Sequence, residues 1–572
     1  MHGKKWLNQL LILSIQINMD ITLKIKENHF SSAQEIFEAI LESRGYKTQV
    51  AQETFLSPPP LTLDYLLKQS GLATHTLSTA KKILNQHLKN NADICIFGDY
   101  DADGVSSTAL LYISLIAYAK IHHSHSRILP FIPDRHKHGY GLSNQAVSDV
   151  ISSTAFHKTS FPDFAPKLII TVDTGIVAHE GINTFIRAGV EVIVTDHHLP
   201  MSAGLPDASC IVHTTTTSGA GVAWILALYL LGEPALSLLD IATIGVVADM
   251  MPLLGLNRSL AKYGLTALSR TKRHGLLAMK KQMGVEAKDL TAYDISFGIA
   301  PRINAAGRIY NPLDALRLLV TSSSTQARDL AQVIEAHNKD RQEYTDSALK
   351  SAVATSTQHK IIVNYGDYHE GVIGLVAGKL VEMFHKPALV LSNSADIIKG
   401  SARSLPGINI TDLLRSLKTP FLGLGGHDQA AGFSLAKKDF QKFQKEIESV
   451  ADRSILDALL TKSYVADLSL DFKYATLTLA KMIRKMEPFG LKNQNPKFYV
   501  QNVTVIADKR LGKEGKHAKL QVEQDGVIKT LMIWNCTHAY PLKHLVSLIY
   551  SLDINVYKGV ESLVLIASYA EI

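Results

Sequence analysis

The sequence predicts an α/β protein of two lobes followed by a small β-barrel, and three observations carry that prediction. The runs ADICIF (92–97), KLIITV (167–172) and VEVIVT (190–195) are rich in β-branched residues and lack polar alternation. Strands buried on both faces of a parallel sheet have this texture, and the helical stretches between the runs complete an α/β lobe. The same texture returns as KIIVNY (360–365), a helix from Gly371 to Phe384, and PALVLS (387–392), which makes a second α/β unit. Beyond residue 465 the chain becomes strand-rich with basic turns, as in KFYVQNVTVIADKRLGKEGKHAKLQVEQ (497–524), the pattern of a small barrel.

At 572 residues the chain is too long for one hydrophobic core. In order, residues 1–18 read as an upstream extension. Lys4 and Lys5 precede an apolar run from Leu10 to Ile17, but Ser14 and Gln16 interrupt it and no small-residue cleavage site follows. Met19 then opens an ordinary start. Residues 19–90 form an N-terminal helical region, broken at Ser57–Pro60 because three prolines cannot continue a helix. Residues 91–323 hold the first α/β lobe. Residues 324–356 form a connecting helix, with Leu330, Ile334, His337, Tyr344 and Ala348 at helical steps. Residues 357–464 hold the second lobe, and 465–572 the barrel.

Composition narrows the function classes. With 46% hydrophobic and 19% charged residues the chain folds into cores and is not a disordered segment. No run reaches the roughly 18 consecutive apolar residues of a membrane span, so a soluble protein with no membrane partner is expected. Cys95, Cys210 and Cys536 are far apart and form no CxxC pair, which argues against a disulfide framework or a cysteine zinc site and fits a reducing cytoplasm. A formal net charge of +7 is compatible with a polyanionic partner.

The chemistry lies where three predicted strands end. The first runs into FGDYDADG, with Asp99, Asp101 and Asp103. The second runs into TVDTG, with Asp173, and the third into VTDHH, with Asp196, His197 and His198. Ligands of open α/β sheets bind outside the carboxyl ends of the strands, so these tips converge on one site. So many carboxylates cannot be packed together unless cations neutralise them. Oxygen donors with one or two imidazoles suit Mg²⁺ or Mn²⁺ better than zinc. DYDADG alone could open an EF-hand loop, but the twelfth position from Asp99 is Leu110, where a bidentate Glu would be needed. A fourth element, VVADMMPL, places Asp249 after an apolar helical run.

This ordered set, DYDADG, TVDTG, DHH and VADMMP, resembles the DHH phosphoesterases, and the resemblance covers roughly residues 30–572. It implies a two-lobed core, a parallel-sheet catalytic lobe plus a DHH-associated α/β lobe, with a C-terminal OB-type barrel. It also implies two ions, Mn²⁺ or Mg²⁺, held by Asp101, Asp103, Asp173, His197 and Asp249. Asp99 and His198 would be close partners or further ligands, with Asp173 and His198 counted among the catalytic groups.

Further segments resemble the exonuclease branch of that family, which degrades single-stranded DNA from its 5′ end in repair and recombination. IPDRHKHGYGLS offers Arg135, and APRINAAGRI offers Arg302 and Asn304, as phosphate contacts. Arginine suits this work because its planar fork keeps its charge and binds phosphate bidentately. KGSARSLPG contributes Ser401 and Arg403, and LGGHDQAAGFSL contributes Gly425, Gly426 and His427, as substrate contacts of the second lobe. The strand would enter a cleft. Residues 467–572 carry 14 Lys plus Arg against 10 Asp plus Glu, with Lys509, Arg510, Lys513, Lys516, His517 and Lys519 around one turn. Phe498, Tyr499 and Trp534 are stacking candidates or core residues. GLKNQNP (490–496) departs from the glycine-rich turn usual in the family. The resemblance further implies a monomer working with single-strand-binding protein and a helicase.

Two other readings compete. A DHH phosphoesterase for short oligonucleotides or cyclic dinucleotides would share the carboxylates but need no barrel. A non-catalytic relative would be expected to lose metal-binding carboxylates, yet Asp101, Asp103, Asp173 and Asp249 are all present.

Overall fold

The computed structural model describes residues 19–25, 30–135, 137–139, 141–157, 159–201, 204–354, 359–393, 396–512, 515–536 and 544–571. The predicted extension 1–18 and Lys513 lie outside them. The chain divides into two compact units. One comprises Ser57–Gln342 with Pro488–Gln494; the other comprises the N-terminal residues up to Leu56, Glu343–Glu487 and Asn495–Ile572.

The N-terminal region differs from expectation. Its first element is a strand, β1 (Met19–Ile25), not a helix. The reason is legible in ITLKI, where apolar and polar residues alternate with the period of a strand. β1 is followed by helix α1 (Ala33–Ser43), capped by Ser32, whose side chain accepts from the Glu35 amide.

The unit starting at Ser57 contains helix α2 (Thr74–Lys89) and then the first sheet. Its elements are β2 (Ile94–Phe97), α3 (Ala102–Ile121), β3 (Ile128–Phe131), β4 (Leu168–Val172), α4 (His179–Arg187), β5 (Glu191–Asp196) and β6 (Cys210–His213). All pairings are parallel and the order is β3-β2-β4-β5-β6. The order therefore reverses between β2 and β4, where neighbouring crossovers leave on opposite faces and open a crevice.

Period-two alternation distributes each strand between two cores. Ile94, Ile96, Leu168, Ile170 and Ile193 face one, packed with α3 and two further apolar helices, α5 (Gly219–Leu231) and α6 (Leu239–Ala248). Cys95, Phe97, Ile169, Val192 and Val194 face the other, against Phe185 of α4 and Val147 and Val150. Burial on both faces explains why these strands lack polar alternation. Among the described residues α3 is the one helix long and apolar enough to cross a membrane, and two-thirds of it is buried in this core. Beyond α6, a π-helical turn (Ile295–Ile299) leads into α7 (Ala300–Ile309). The 31-residue helix α8 (Ser324–Ala354) follows, and the division between units falls within it.

The other unit holds a five-stranded sheet and the barrel. After β7 (Ile362–Gly366) come α9 (Ile373–Phe384), β8 (Ala388–Asn393), β9 (Ile397–Arg403), β10 (Gly423–His427), β11 (Ala430–Ala436) and α10 (Phe440–Ser454). The order is β10-β11-β9-β8-β7, with only β7 and β8 parallel. α9 packs on one face through Ile373, Val376 and Leu380, and α10 on the other through Phe443 and Ile447.

After β12 (Lys462–Ser469) and helix α11 (Leu477–Arg484) the barrel is built from β13 (Phe498–Leu511), β14 (His517–Gln524), β15 (Val527–Ile533), β16 (His544–Tyr557) and β17 (Val560–Glu571). The ring β13-β14-β15-β17-β16 closes back on β13, the five-stranded OB-type topology expected from the sequence. β12 runs parallel beside β13, and β1 extends the sheet alongside β12. Lys24 and Arg44 meet the buried Asp467 there. Phe498 is a core residue, fully buried against Tyr550, and is no stacking platform. Where the sequence lacks the glycine-rich turn, Gly490 and Asn493 exchange backbone hydrogen bonds and Leu491 accepts from the Leu253 amide, which fixes the loop.

Candidate metal centre

Three strand tips and two helix ends build the site. β2 ends at Phe97 and α3 begins at Ala102, so Asp99, Asp101 and Asp103 occupy one tight strand-to-helix turn. Asp101 caps α3, its Oδ1 accepting from the Asp103 and Gly104 amides at 3.0 Å each. β4 ends beside it in Asp173, which takes φ +59°, a left-handed conformation that Asp tolerates better than most residues. β5 ends in Asp196, followed by His197 and His198. Asp249 closes α6. β2 and β4 flank the point where strand order reverses, so the site stands where ligands of such sheets bind.

Donor atoms converge in three groups, each within 4.8 Å: Asp99 with Asp101 and Asp173; Asp103 with His197 and Asp249; and Asp173 with His197 and His198. His197 Nε2 lies 3.0 Å from Asp173 Oδ1, 3.7 Å from Asp249 Oδ2 and 3.8 Å from Asp103 Oδ2. Asp99 Oδ1, Asp173 Oδ1 and His197 Nε2 are buried without hydrogen-bond partners. Buried polar atoms are nearly always satisfied, so three converging orphans mark a place for a cation. Cis donors at about 2.1 Å from an octahedral ion stand roughly 3.0 Å apart, the spacing of His197 and Asp173. The residues present fit divalent ions.

The electrostatics agree. Burial, with the nearby Asp101 charge, pushes Asp99 up to about 8 and Asp103 up to about 7. Burial, with Asp103 and Asp101, pushes Asp249 up to about 8, and burial with Asp103 raises Asp173 well above the usual carboxylate range. Burial and the neighbouring His198 hold His197 down at about 4, so its imidazole is neutral, as a ligand must be. At an effective dielectric of 20, two carboxylates about 4 Å apart repel by about 4 kcal/mol. Several such pairs would consume a domain's whole stability, so the cluster must hold protons or cations.

Supporting groups orient these donors. Asp196, buried, plays a part the sequence did not disclose. Its Oδ1 accepts from the His197 amide at 2.7 Å and from His198 Nδ1 at 2.8 Å, and its Oδ2 from the Ile176 amide at 2.8 Å. Burial would raise this carboxyl, but the hydrogen bonds from His198 and the backbone hold it below the usual range. In return the bond to Asp196 lifts His198 to about 9, so His198 carries a proton. Asp103 is gripped by the N-terminus of α5: Ser218 Oγ and the Ala220 amide donate to Oδ1, and the Gly219 amide to Oδ2. Two glycines make room. A Cβ on Gly219 would lie 2.5 Å from Asp173 Oδ1, and one on Gly245 would lie 2.1 Å from Asp103 Oδ1. In the sequence, Ser218 before an apolar run marks only a helix start, with nothing that points to Asp103.

The expected phosphate contacts fall into two sets. In the unit of the metal centre, the Arg135 guanidinium stands 5.7 Å from the ring centre of Tyr100, within the acidic turn. Arg302 is partly committed, donating from Nε to Glu335 at 2.6 Å and from Nη1 to the Gly298 carbonyl. Asn304 Oδ1 accepts from the Ala102 amide at 2.8 Å, so it braces the metal-binding turn. In the other unit Arg403, Ala430 and His427 stand side by side on neighbouring strands, as do Ser401, Gly432 and Gly425 one pleat away. All six therefore share a face. A Cβ on Gly374 of α9 would lie 3.0 Å from Ser401 Oγ and 3.2 Å from Arg403 Nη2, so the start of α9 adjoins them. Gly426 (φ +147°) allows the close pairing at that hairpin.

In the barrel, Lys509 and Lys519 are exposed and directly opposite on β13 and β14. Trp534 is 54% exposed with its ring 5.0 Å from His517. Like charges placed opposite one another repel unless an anion joins them.

Comparison with known proteins agrees with this architecture. The profile of the DHH family N-terminal domain matches residues 93–251, that of the DHHA1 domain residues 358–452, and that of the RecJ OB domain residues 466–569. The single-stranded-DNA-specific exonuclease RecJ of Dickeya dadantii is 31% identical, over 86% of this chain and 90% of its own. RecJ of Bacillus subtilis is 32% identical over 85% of this chain, which spans 61% of that longer protein. The crystal structure of Thermus thermophilus RecJ with Mn²⁺ superposes with a TM-score of 0.79 at 27% identity, covering 97% of this chain and 79% of that one; its structure with Mg²⁺ gives 0.72. With three domain profiles matched in succession along the chain and relatives aligned along most of their length, the chain belongs to the RecJ family of single-stranded-DNA-specific exonucleases.

Proposed function

We propose that this protein hydrolyses single-stranded DNA from its 5′ end, with Mn²⁺ or Mg²⁺ held by Asp99, Asp101, Asp103, Asp173, His197 and Asp249. The observation that carries this reading is the convergence of orphaned Asp99, Asp173 and His197 donors at the crevice of the parallel sheet. When bound, two ions supply a polarised water and a clamp on the scissile phosphate. The chain supplies the rest. Asp173, which belongs to two of the donor groups, would help to hold the ions. His198 holds a proton against Asp196 with its ring partly exposed, placed to donate to the departing oxygen.

Arg135, Arg302 and Asn304 position the backbone or brace the turn. Ser401, Arg403, Gly425 and His427, with the start of α9, form an anion cradle of the second lobe, and Gly426 shapes its hairpin. These contacts read phosphates and not bases, so cleavage is indifferent to sequence. The barrel argues against a small-substrate enzyme, because Lys509, Lys519 and Trp534 suit a longer strand. Single-strand-binding protein and a helicase are the partners of such an enzyme, which we take to act as a cytoplasmic monomer.

The test is a hairpin with a single-stranded tail at either end, incubated with Mn²⁺. The expected product from the 5′-tailed hairpin is a trimmed tail stopping at the stem, with the 3′-tailed hairpin intact. Digestion of the 3′ tail, or passage through the stem at the rate of the tail, contradicts the reading.

A further inference from the structure

Tyr293 and Phe297 lie on the surface of the unit that contains the metal centre, and the metal-centre chemistry uses neither. They are 67% and 68% exposed, and their rings stack with centroids 4.5 Å apart at an interplanar angle of 28°. Single exposed apolar side chains are ordinary, but two contiguous exposed rings form a patch of the kind that marks an interaction site. The pair is also held firmly. Asp294, buried between them in sequence, closes a capping box with Thr291 and pairs with Lys288. Ile295 and Ile299 are buried, and a Cβ on Gly298 would lie 2.3 Å from Met283 Cε, so the turn sits tightly on its neighbour. The segment Ile295–Ile299 is π-helical. Tyr293, in the helical turn Ala292–Asp294 just before it, and Phe297 are four residues apart, the spacing that makes side chains neighbours on one helix face. Such π-turns are frequent at functional sites.

The location supplies the occupant. The π-turn runs directly into α7, and Asn304 of α7 bonds the Ala102 amide in the metal-binding turn. Seven residues separate Phe297 from Asn304, about 10 Å at a helical rise of 1.5 Å per residue. A strand advancing about 3.4 Å per nucleotide, or somewhat more when stretched, covers that in about two to three nucleotides. We propose that Tyr293 and Phe297 form a stacking platform for a base of the DNA strand two to three nucleotides from the scissile phosphate. A platform suits a sequence-indifferent enzyme because every base has a π-face. This inference rests on the exonuclease reading above.

The test uses the full chain with Mn²⁺ and single-stranded oligonucleotides of two to eight nucleotides, comparing wild type with Tyr293→Ser/Phe297→Ser and with Phe297→Trp. Both rings are exposed, so the variants should melt with the wild type, and Phe297→Trp keeps a ring if the double variant does not. The double variant should raise KM by about 5- to 100-fold on the longer substrates, the loss of one stacked base. Its kcat should change far less, and the KM penalty should shrink as substrates fall below three nucleotides. 2-Aminopurine placed at successive positions should be quenched by wild type and Phe297→Trp at the second or third nucleotide, and not by the double variant. A KM penalty equal at all lengths, or quenching that survives loss of both rings, overturns the platform. A purely protein-docking surface would give no KM change and likewise overturns it. Failure of the wild type to cut any oligonucleotide would instead overturn the exonuclease reading.

Discussion

His197 Nε2 lies 3.0 Å from Asp173 Oδ1, yet both atoms are buried without a hydrogen bond between them or to any other described group. The pair is spaced as two ligands of one ion. Asp173→Asn removes the charge while keeping a side chain that tolerates φ +59°. We expect activity to fall by roughly a thousandfold or more, as loss of several kcal/mol of charge stabilisation implies. The rise in Tm on adding Mn²⁺ should vanish, and the metal-free Tm should hold or increase because a repelling carboxylate has gone. Wild-type turnover by the purified variant would remove Asp173 from the site.

The raised carboxyls fix a pH dependence for the metal-free protein. Asp99 and Asp249 at about 8 and Asp103 at about 7 keep protons that they lose in the unfolded chain near pH 4. Between those values the folded state binds more protons, so stability falls as pH rises from about 4 to about 8. Metal-free Tm should therefore decline across that window, while the gain from Mn²⁺ grows as the ligands deprotonate. Thermal melts at pH 5, 6.5 and 8, with chelator or Mn²⁺, check this; a Mn²⁺ gain independent of pH would contradict it.

Asp196 acts through its neighbours. Asp196→Asn should leave the metal-binding carboxylates in place but release His198 from its bond, so the His198 titration midpoint falls from about 9 toward its ordinary 6.5. kcat should drop by about 10- to 100-fold, the usual cost of losing a group that orients a ligand. Histidine NMR titration of both proteins reads the midpoint; an unmoved His198 would dismiss the positioning role.

The barrel makes a salt-dependent prediction. Replacing Lys509 and Lys519 with Ala should flatten the slope of log K against log salt for single strands by about 1.4, at about 0.7 per phosphate contact. Binding measured between 50 and 300 mM salt decides it. Equal slopes would leave the pair a solvated edge.

Much of this was legible in sequence because buried parallel strands write themselves as β-branched runs, and their tips must carry the acidic residues. The reversal of strand order between β2 and β4 was not, since it depends on pairing partners far apart in the chain. Nor was the grip of Ser218, Gly219 and Ala220 on Asp103, which joins residues 115 to 117 apart. Asp196 shows the opposite difficulty: it stands in the most conspicuous triplet, but only its hydrogen bonds reveal that it holds the histidines. β1 falls in the stretch 19–90 expected to be helical, although the alternation in ITLKI has the period of a strand. Asn304 braces the turn through the Ala102 amide and Arg302 bonds Glu335, pairings that join residues too far apart to read from the sequence.

The central claim is that this cluster holds a pair of ions. Anomalous scattering at the manganese edge, from crystals grown with Mn²⁺, tests it most directly. Two peaks about 3.5–4 Å apart, the spacing of a two-metal phosphodiesterase site, should lie among Asp99, Asp101, Asp103, Asp173, His197 and Asp249. Absence of anomalous density there at millimolar Mn²⁺, or peaks confined to other parts of the chain, would contradict it.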